Sequence, residues 1–175
     1  MRVAAVFLCT FAMATAGLAS AADRPPFYAA GGFGLFDSEI RSLTKKFPWM
    51  VGIGWGETQR ALFGSPSIDL EWVHAEGQGN KFDSWGLTYN ERAVLSESLY
   101  FGLGIGTYFS KIDAVSSAGT VYDGQRIFPG GRGMIGINFA SGSYGSIFTE
   151  FAYTYRGKVE GLEANSLSLT LGWWF

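Results

Sequence analysis

Strict two-residue alternation, repeated along nearly the whole chain, is the feature that most limits what this sequence can become. It is plainest near the end of the chain, where Leu167, Leu169, Leu171, Trp173 and Phe175 fall on one face and Ser166, Ser168, Thr170 and Gly172 on the other. Trp174 alone breaks the small, polar face. A period of two fits a pleated strand with one apolar face and does not fit a helix. The same grammar recurs at 47–56, 67–74, 84–91, 99–109, 132–139 and 147–156, and a glycine-rich stretch of ambiguous facing occupies 27–36. The pattern therefore predicts eight strands.

What the polar face contains decides which kind of sheet this is. It is rich in Gly, Ser, Thr and Asn, and it carries few of the Lys and Glu that decorate a solvated sheet. Charged residues make up 16% of the chain, against about 25% for an ordinary soluble domain, while Phe, Tyr and Trp number 15, 8 and 6. Aromatics gather at predicted strand ends, among them Trp49, Trp55, Trp72, Trp85, Tyr89, Tyr153, Tyr155 and Trp173. After residue 21 no run of 18 apolar residues appears, so no helix is expected to cross a bilayer. The only other backbone that satisfies itself in lipid is a closed barrel. An inside-out barrel, apolar toward lipid and small or polar toward a narrow lumen, explains both faces. The expected fold is thus all-β: an eight-stranded antiparallel transmembrane β-barrel in an up-and-down meander, formed as one domain by residues 22–175.

Residues 1–21 read as a cleaved export signal. Arg2 is their one charge, residues 3–16 are apolar apart from threonines, and Ala19 and Ala21 supply the small residues of a leader-peptidase site. The single cysteine, Cys9, lies inside this segment, so a disulfide scaffold is excluded. A net charge of −2, with no basic run longer than Lys45 and Lys46, argues against nucleic acid as a partner. The stretches 37–46, 76–81, 113–125 and 160–165 hold most of the remaining charge and read as the longer loops of one barrel end, placed outside the cell.

Six charged residues share the lumenal parity: Asp69, Glu71, Arg92, Arg132, Glu150 and Arg156. Buried in a narrow interior they must pair, because an unpaired buried charge costs several kcal/mol, so a lumenal salt-bridge network is expected. The glycine rows Gly52, Gly54, Gly56 and Gly102, Gly104, Gly106 sit mid-strand and precede no helix, which excludes a phosphate cradle. One histidine and no other cysteine leave no spacing for a transition-metal site, and no cofactor is expected. His74 falls on the apolar parity near a strand end, as an interfacial residue.

This layout resembles the small outer-membrane β-barrel proteins of Gram-negative bacteria, the OmpA/OmpX-type superfamily. The sharpest element is the closing run through Leu169, Leu171, Trp173 and Phe175, which resembles the C-terminal signal read by the barrel-assembly machinery. The resemblance implies the outer membrane as location, and as partners its lipid and lipopolysaccharide together with the assembly machinery. A narrower likeness is to the eight-stranded outer-membrane lipid A deacylases, whose seventh strand reads His-Tyr-Ser-Asn before a loop and a Glu. Glu163 can be laid on that Glu, but Thr154 and Arg156 stand where the family has its base and its nucleophile. The expected function is that of a monomeric, non-enzymatic barrel acting structurally or through its external loops, whose surface ligand the residues do not name. The alternatives are a deacylase-type hydrolase and a narrow, porin-like solute pore.

Overall fold

A computed structural model of the chain describes residues 27–44, 47–56, 64–96, 98–142 and 145–175. The export-signal reading of 1–21 falls outside the described residues. Eight strands close a barrel: β1 (Phe27–Phe36), β2 (Trp49–Gly56), β3 (Ser65–Gly77), β4 (Asn80–Val94), β5 (Leu99–Val115), β6 (Val121–Gly142), β7 (Gly145–Tyr155) and β10 (Ser166–Trp174). Every neighbouring pair is antiparallel and consecutive in the barrel order, and β10 returns to β1 to close it. The two ends of the barrel chain meet there, where Phe27 and Phe175 exchange backbone hydrogen bonds of 3.1 and 2.8 Å. We call this the termini end and the opposite one the loop end. The expected meander of eight antiparallel strands is what forms.

Facing follows parity. Phe33, Ile53, Leu87, Leu103, Ile105 and Leu169 are all more than half exposed on the outer wall, while Asp69, Glu71, Thr88, Asn90, Glu150 and Ser168 are buried inside. A belt this apolar is the reverse of a soluble surface and matches a hydrocarbon environment. At the loop end the belt finishes in an aromatic cluster in which Trp72 stacks on Trp85 (centroids 5.2 Å apart) and meets Trp49 edge-on at 4.6 Å.

Two expectations about the loops are corrected. The stretch 76–81 is not a loop: β3 runs to Gly77, β4 starts at Asn80, and Gln78 and Gly79 make the turn, both with positive φ (57° and 82°). Likewise 113–125 is mostly ladder, since β5 continues to Val115 and β6 begins at Val121. Strands β3–β6 therefore rise beyond the loop end of their neighbours. A short helix, α1 (Ser38–Thr44), and a small hairpin of β8 (Lys158–Val159) with β9 (Leu162–Glu163) fold over the mouth, and neither was anticipated. Beneath them Phe36, Ile40, Val73, Phe82, Ile112 and Val159 form a buried apolar core. Asn80 ties this cap down: its side-chain amide donates to the Leu43 carbonyl at 2.8 Å, and its amide oxygen accepts from Val115 N–H at 2.8 Å.

Candidate functional site

The strands deliver the six lumenal charges to one axis. Asp69 and Glu71 are two apart on β3 and so share a face. Arg92 comes from β4, Arg132 from β6 and Glu150 from β7. Arg156 lies one residue past β7, not on the strand as expected, where the chain turns inward at Gly157 (φ 73°) and the Arg156 N–H donates to the Asn165 side chain.

These residues make one continuous ladder of alternating sign. Arg92 bonds Asp69 and Glu150, both at 3.2 Å. Arg132 reaches Glu150 and Glu71, both at 2.8 Å. Arg156 closes the series on Glu71 at 2.6 Å. From Arg92, low near the termini end, to Arg156 under the cap, each interior member holds two partners. Hydroxyls complete the shell: Arg92 also donates to Ser67 (2.6 Å) and Tyr28 (3.1 Å), Arg156 donates to Ser166, and Tyr100 donates to Glu150 (3.1 Å). All six ladder residues are buried. Three guanidiniums balance three carboxylates, which is how buried ions escape most of their desolvation cost.

Rings seal the ladder at its lower end. Tyr28 packs at 4.5 Å from Trp174 and edge-on to Phe148 at 5.5 Å, and the Arg92 guanidinium lies 5.2 Å from the Tyr28 ring. Trp174, the break in the polar face, is thus part of a plug. The glycine rows gain a specific reason here. A Cβ on Gly54 would collide with the Tyr28 ring, one on Gly136 with Tyr100, and one on Gly172 with Phe148. Each of these three rings lies over a glycine of the next strand. Among the described residues the lumen contains a cavity of about 20 Å³ bounded in part by Tyr28, Met50, Glu71 and Arg132, room for about one water.

His74 projects from the outer wall, as its parity requires. Its Nδ1 sits 2.8 Å from Asp83, which also accepts from the Trp72 indole at 3.1 Å, and Trp49 and Trp72 flank its ring. The barrel wall separates it from the lumenal hydroxyls. Thr154 is fully buried inside, and Glu163 lies in the cap with Lys158 at 3.4 Å and its N–H bonded to Glu39. Among the described residues no hydrogen bond or ion pair joins Thr154, Arg156 and Glu163 directly, although the Asn165 side chain accepts from the Arg156 N–H at 3.1 Å and donates to the Glu163 carboxylate at 3.5 Å. At the closing strand, Leu169, Leu171 and Trp173 face outward, and Phe175 stacks on Phe27 at 6.5 Å.

Two features escaped the sequence reading. Glu91 has the outward parity yet is buried, accepting from Tyr89 OH (2.8 Å) and Gly64 N–H (3.3 Å). Tyr28, Tyr100 and Tyr108 point inward and are buried, and only the glycines opposite them could have announced their fit.

No protein-family model matches the chain, and no curated protein matches its sequence. Solved structures do match. Neisserial surface protein A superposes with a TM-score of 0.59 at 15% identity, covering 85% of this chain and 94% of that one. The N-terminal β-barrel domain of Pseudomonas aeruginosa OprF gives 0.55 at 10% identity, over 87% and 98% of the two chains. Ail, the attachment invasion locus protein of Yersinia pestis, gives 0.54 at 12% identity, over 87% and 99%. Identities this low speak for the fold alone. Closed antiparallel barrel, outward apolar belt and matching neighbours agree: the fold is that of the small eight-stranded outer-membrane barrels of the OmpA/OmpX type.

Proposed function

We propose that the protein is a non-enzymatic barrel of the bacterial outer membrane, with a closed lumen, whose loop end faces outside and acts as an interaction surface. The observation that carries this reading is the ladder. Its alternating ion pairs, the ring plug below and the apolar cap above occupy the lumen along its length. A solute would have to break successive buried pairs to pass, each costing several kcal/mol. The hydrolase alternative is disfavoured by the placement of His74, on the far side of the wall from every lumenal hydroxyl, since a serine or threonine nucleophile needs a base within hydrogen-bond reach. What remains for function is the end that rises from the barrel, and surface segments on a rigid scaffold are where recognition concentrates.

Three measurements test this together. Membrane fractionation should place the protein with the outer membrane. Lipid A from cells with and without it should have the same acyl-chain masses, and the purified protein should give no steady conductance in planar bilayers. A lost acyl chain would restore the hydrolase reading, and discrete conductance steps would restore the pore.

A further inference from the structure

The chain's single histidine sits in a setting that suits one of its two charge states. His74 lies on the outer face of β3, its side chain 18% exposed. Its Nδ1 is 2.8 Å from Asp83 on β4, and its Nε2 is 3.6 Å from Glu76, two residues farther up β3. Both neighbours are carboxylates, which when ionised only accept hydrogen bonds. A neutral imidazole has one N–H and one acceptor nitrogen, so it serves one carboxylate and turns a lone pair toward the other. The imidazolium presents an N–H to each. Asp83 is held in place for this, because its Oδ1 also accepts from the Trp72 indole at 3.1 Å. The rings of Trp49 and Trp72, 5.3 and 5.8 Å from the imidazole, add faces that attract a cation.

Among the described residues the other charges near this ring come from β4 and β5. Lys81 on β4 lies 3.9 Å from the second oxygen of Glu76, Lys111 on β5 stands opposite Asp83, and Asp113 on β5 stands opposite Lys81. From β2 only Trp49 packs on the ring. Glu76, Asp83 and Asp113 therefore outnumber Lys81 and Lys111 by one, and a protonated His74 restores the balance. The same rungs lead to the cap. His74 with Asp83, Ala75 with Phe82, Glu76 with Lys81 and Gly77 with Asn80 are successive pairs of one hairpin. Phe82 points inward there and packs on Phe36 in the cap core, ring centroids 4.7 Å apart. Asn80 holds α1 through the Leu43 carbonyl and accepts from the Val115 N–H. Beyond Asn80 the hairpin is only the two-residue turn Gln78–Gly79, so the rungs below set how firmly Asn80 is held.

We propose that His74 is a proton-operated clamp on the cap. Protonated, it ties Asp83 and Glu76 together beneath the hairpin tip and keeps Asn80 against α1. Without the proton it releases Glu76, and the tip and the cap loosen. The sign follows from linkage: the closed cap binds the proton better than the loosened one, so falling pH tightens it. Rising pH loosens it across the range in which an imidazole changes charge, between about pH 5 and 8. The clamp goes beyond the reading of the loop end as an interaction surface and does not depend on it.

The test uses the whole protein in phospholipid nanodiscs and follows backbone amide exchange at about pH 5.5 and about pH 8. Each rate is taken relative to the intrinsic rate at that pH and to the amides of β10. The reporters are the Val115 amide, which bonds to Asn80, and the amides of α1. Their protection should be about two- to fivefold greater at the acid pH, the range that an ion pair on an outer face commands. The pH at the midpoint of this change should coincide with that of the imidazole NMR signal, which one histidine makes unambiguous. His74→Gln should abolish the difference. Glu76→Gln, at a side chain more than half exposed, should shrink it, and it decides the matter if His74→Gln does not fold. Equal protection at the two pH values in wild type overturns the proposal. So does a full difference in either variant, or a midpoint apart from that of the imidazole.

Discussion

Neutralising Glu71 should injure this barrel more than neutralising its partner Arg156, and the order follows from the connectivity of the ladder. Glu71 holds Arg132 at 2.8 Å and Arg156 at 2.6 Å. In Glu71→Gln, Arg132 retains Glu150, but the buried Arg156 keeps only the Ser166 hydroxyl and the Tyr108 ring 5.2 Å away. Stranding a buried charge costs about 3–5 kcal/mol. In Arg156→Gln, Glu71 still has Arg132, and the losses are the charge-assisted hydrogen bond to Glu71, about 1.5–3 kcal/mol, and the bond to the neutral Ser166 hydroxyl, with no buried charge left unpaired. The double variant removes the stranded cation, so its loss should fall short of the summed single losses by at least about 1 kcal/mol. Urea unfolding of the refolded protein in lipid vesicles, followed by tryptophan fluorescence, measures all three. Losses that add within about 0.5 kcal/mol, or Arg156→Gln proving the costlier change, would refute the reasoning.

Other expectations rest on separate observations. Arginine at Leu103 or Leu169, both over half exposed on the outer wall, should cost about 2–4 kcal/mol if those positions lie near the bilayer midplane, measured by the same unfolding assay. Gly136→Ala should cost about 1–3 kcal/mol because its Cβ meets the Tyr100 ring, whereas a Cβ on Gly131 meets only the Gly104 carbonyl oxygen at an ordinary 3.6 Å, so Gly131→Ala should change stability by less than about 0.5 kcal/mol. Equal effects would show that the glycine rows are not ring sockets. His74→Ala removes a partly buried outer-wall contact to Asp83 and should cost no more than about 1 kcal/mol with no change in lipid A acylation by mass spectrometry.

Much of the wall was legible because a barrel obeys one short rule. Leu167 to Trp173 alternate as the closing strand requires, and the six charges that share the lumenal parity do meet in the lumen. What stayed hidden was non-local. Nothing near Arg156 in the chain says that β7 ends one residue before it, since that depends on Phe128 filling the space beside Gly157. The pairing of Arg92 with Glu150 joins residues far apart in sequence, and parity narrows the choice of partners without selecting one. Helix α1 is short and is held by contacts to Asn80 and the β8–β9 hairpin, so local propensity alone did not announce it.

The misread stretches 76–81 and 113–125 share a cause that also locates the bilayer. Along β5, Leu103 and Ile105 point outward with Gly104 between them facing in, but farther up Lys111 and Asp113 point outward while Ile112 and Ala114 are buried. β4 does the same in reverse order, with Trp85 and Leu87 outside the lower part, and Lys81 and Asp83 outside the upper part above an inward Phe82. The period never changes; its polarity inverts. Below the Trp72–Trp85 stack the sheet follows the inside-out rule of a lipid-facing wall, and above it the ordinary rule of a sheet whose outer face is wet and whose inner face packs on a helix. A search for continued apolar parity ends each strand at that inversion and misreads the remainder as loop. Taken instead as a boundary, the inversion sets the loop-side edge of the membrane at the tryptophan stack.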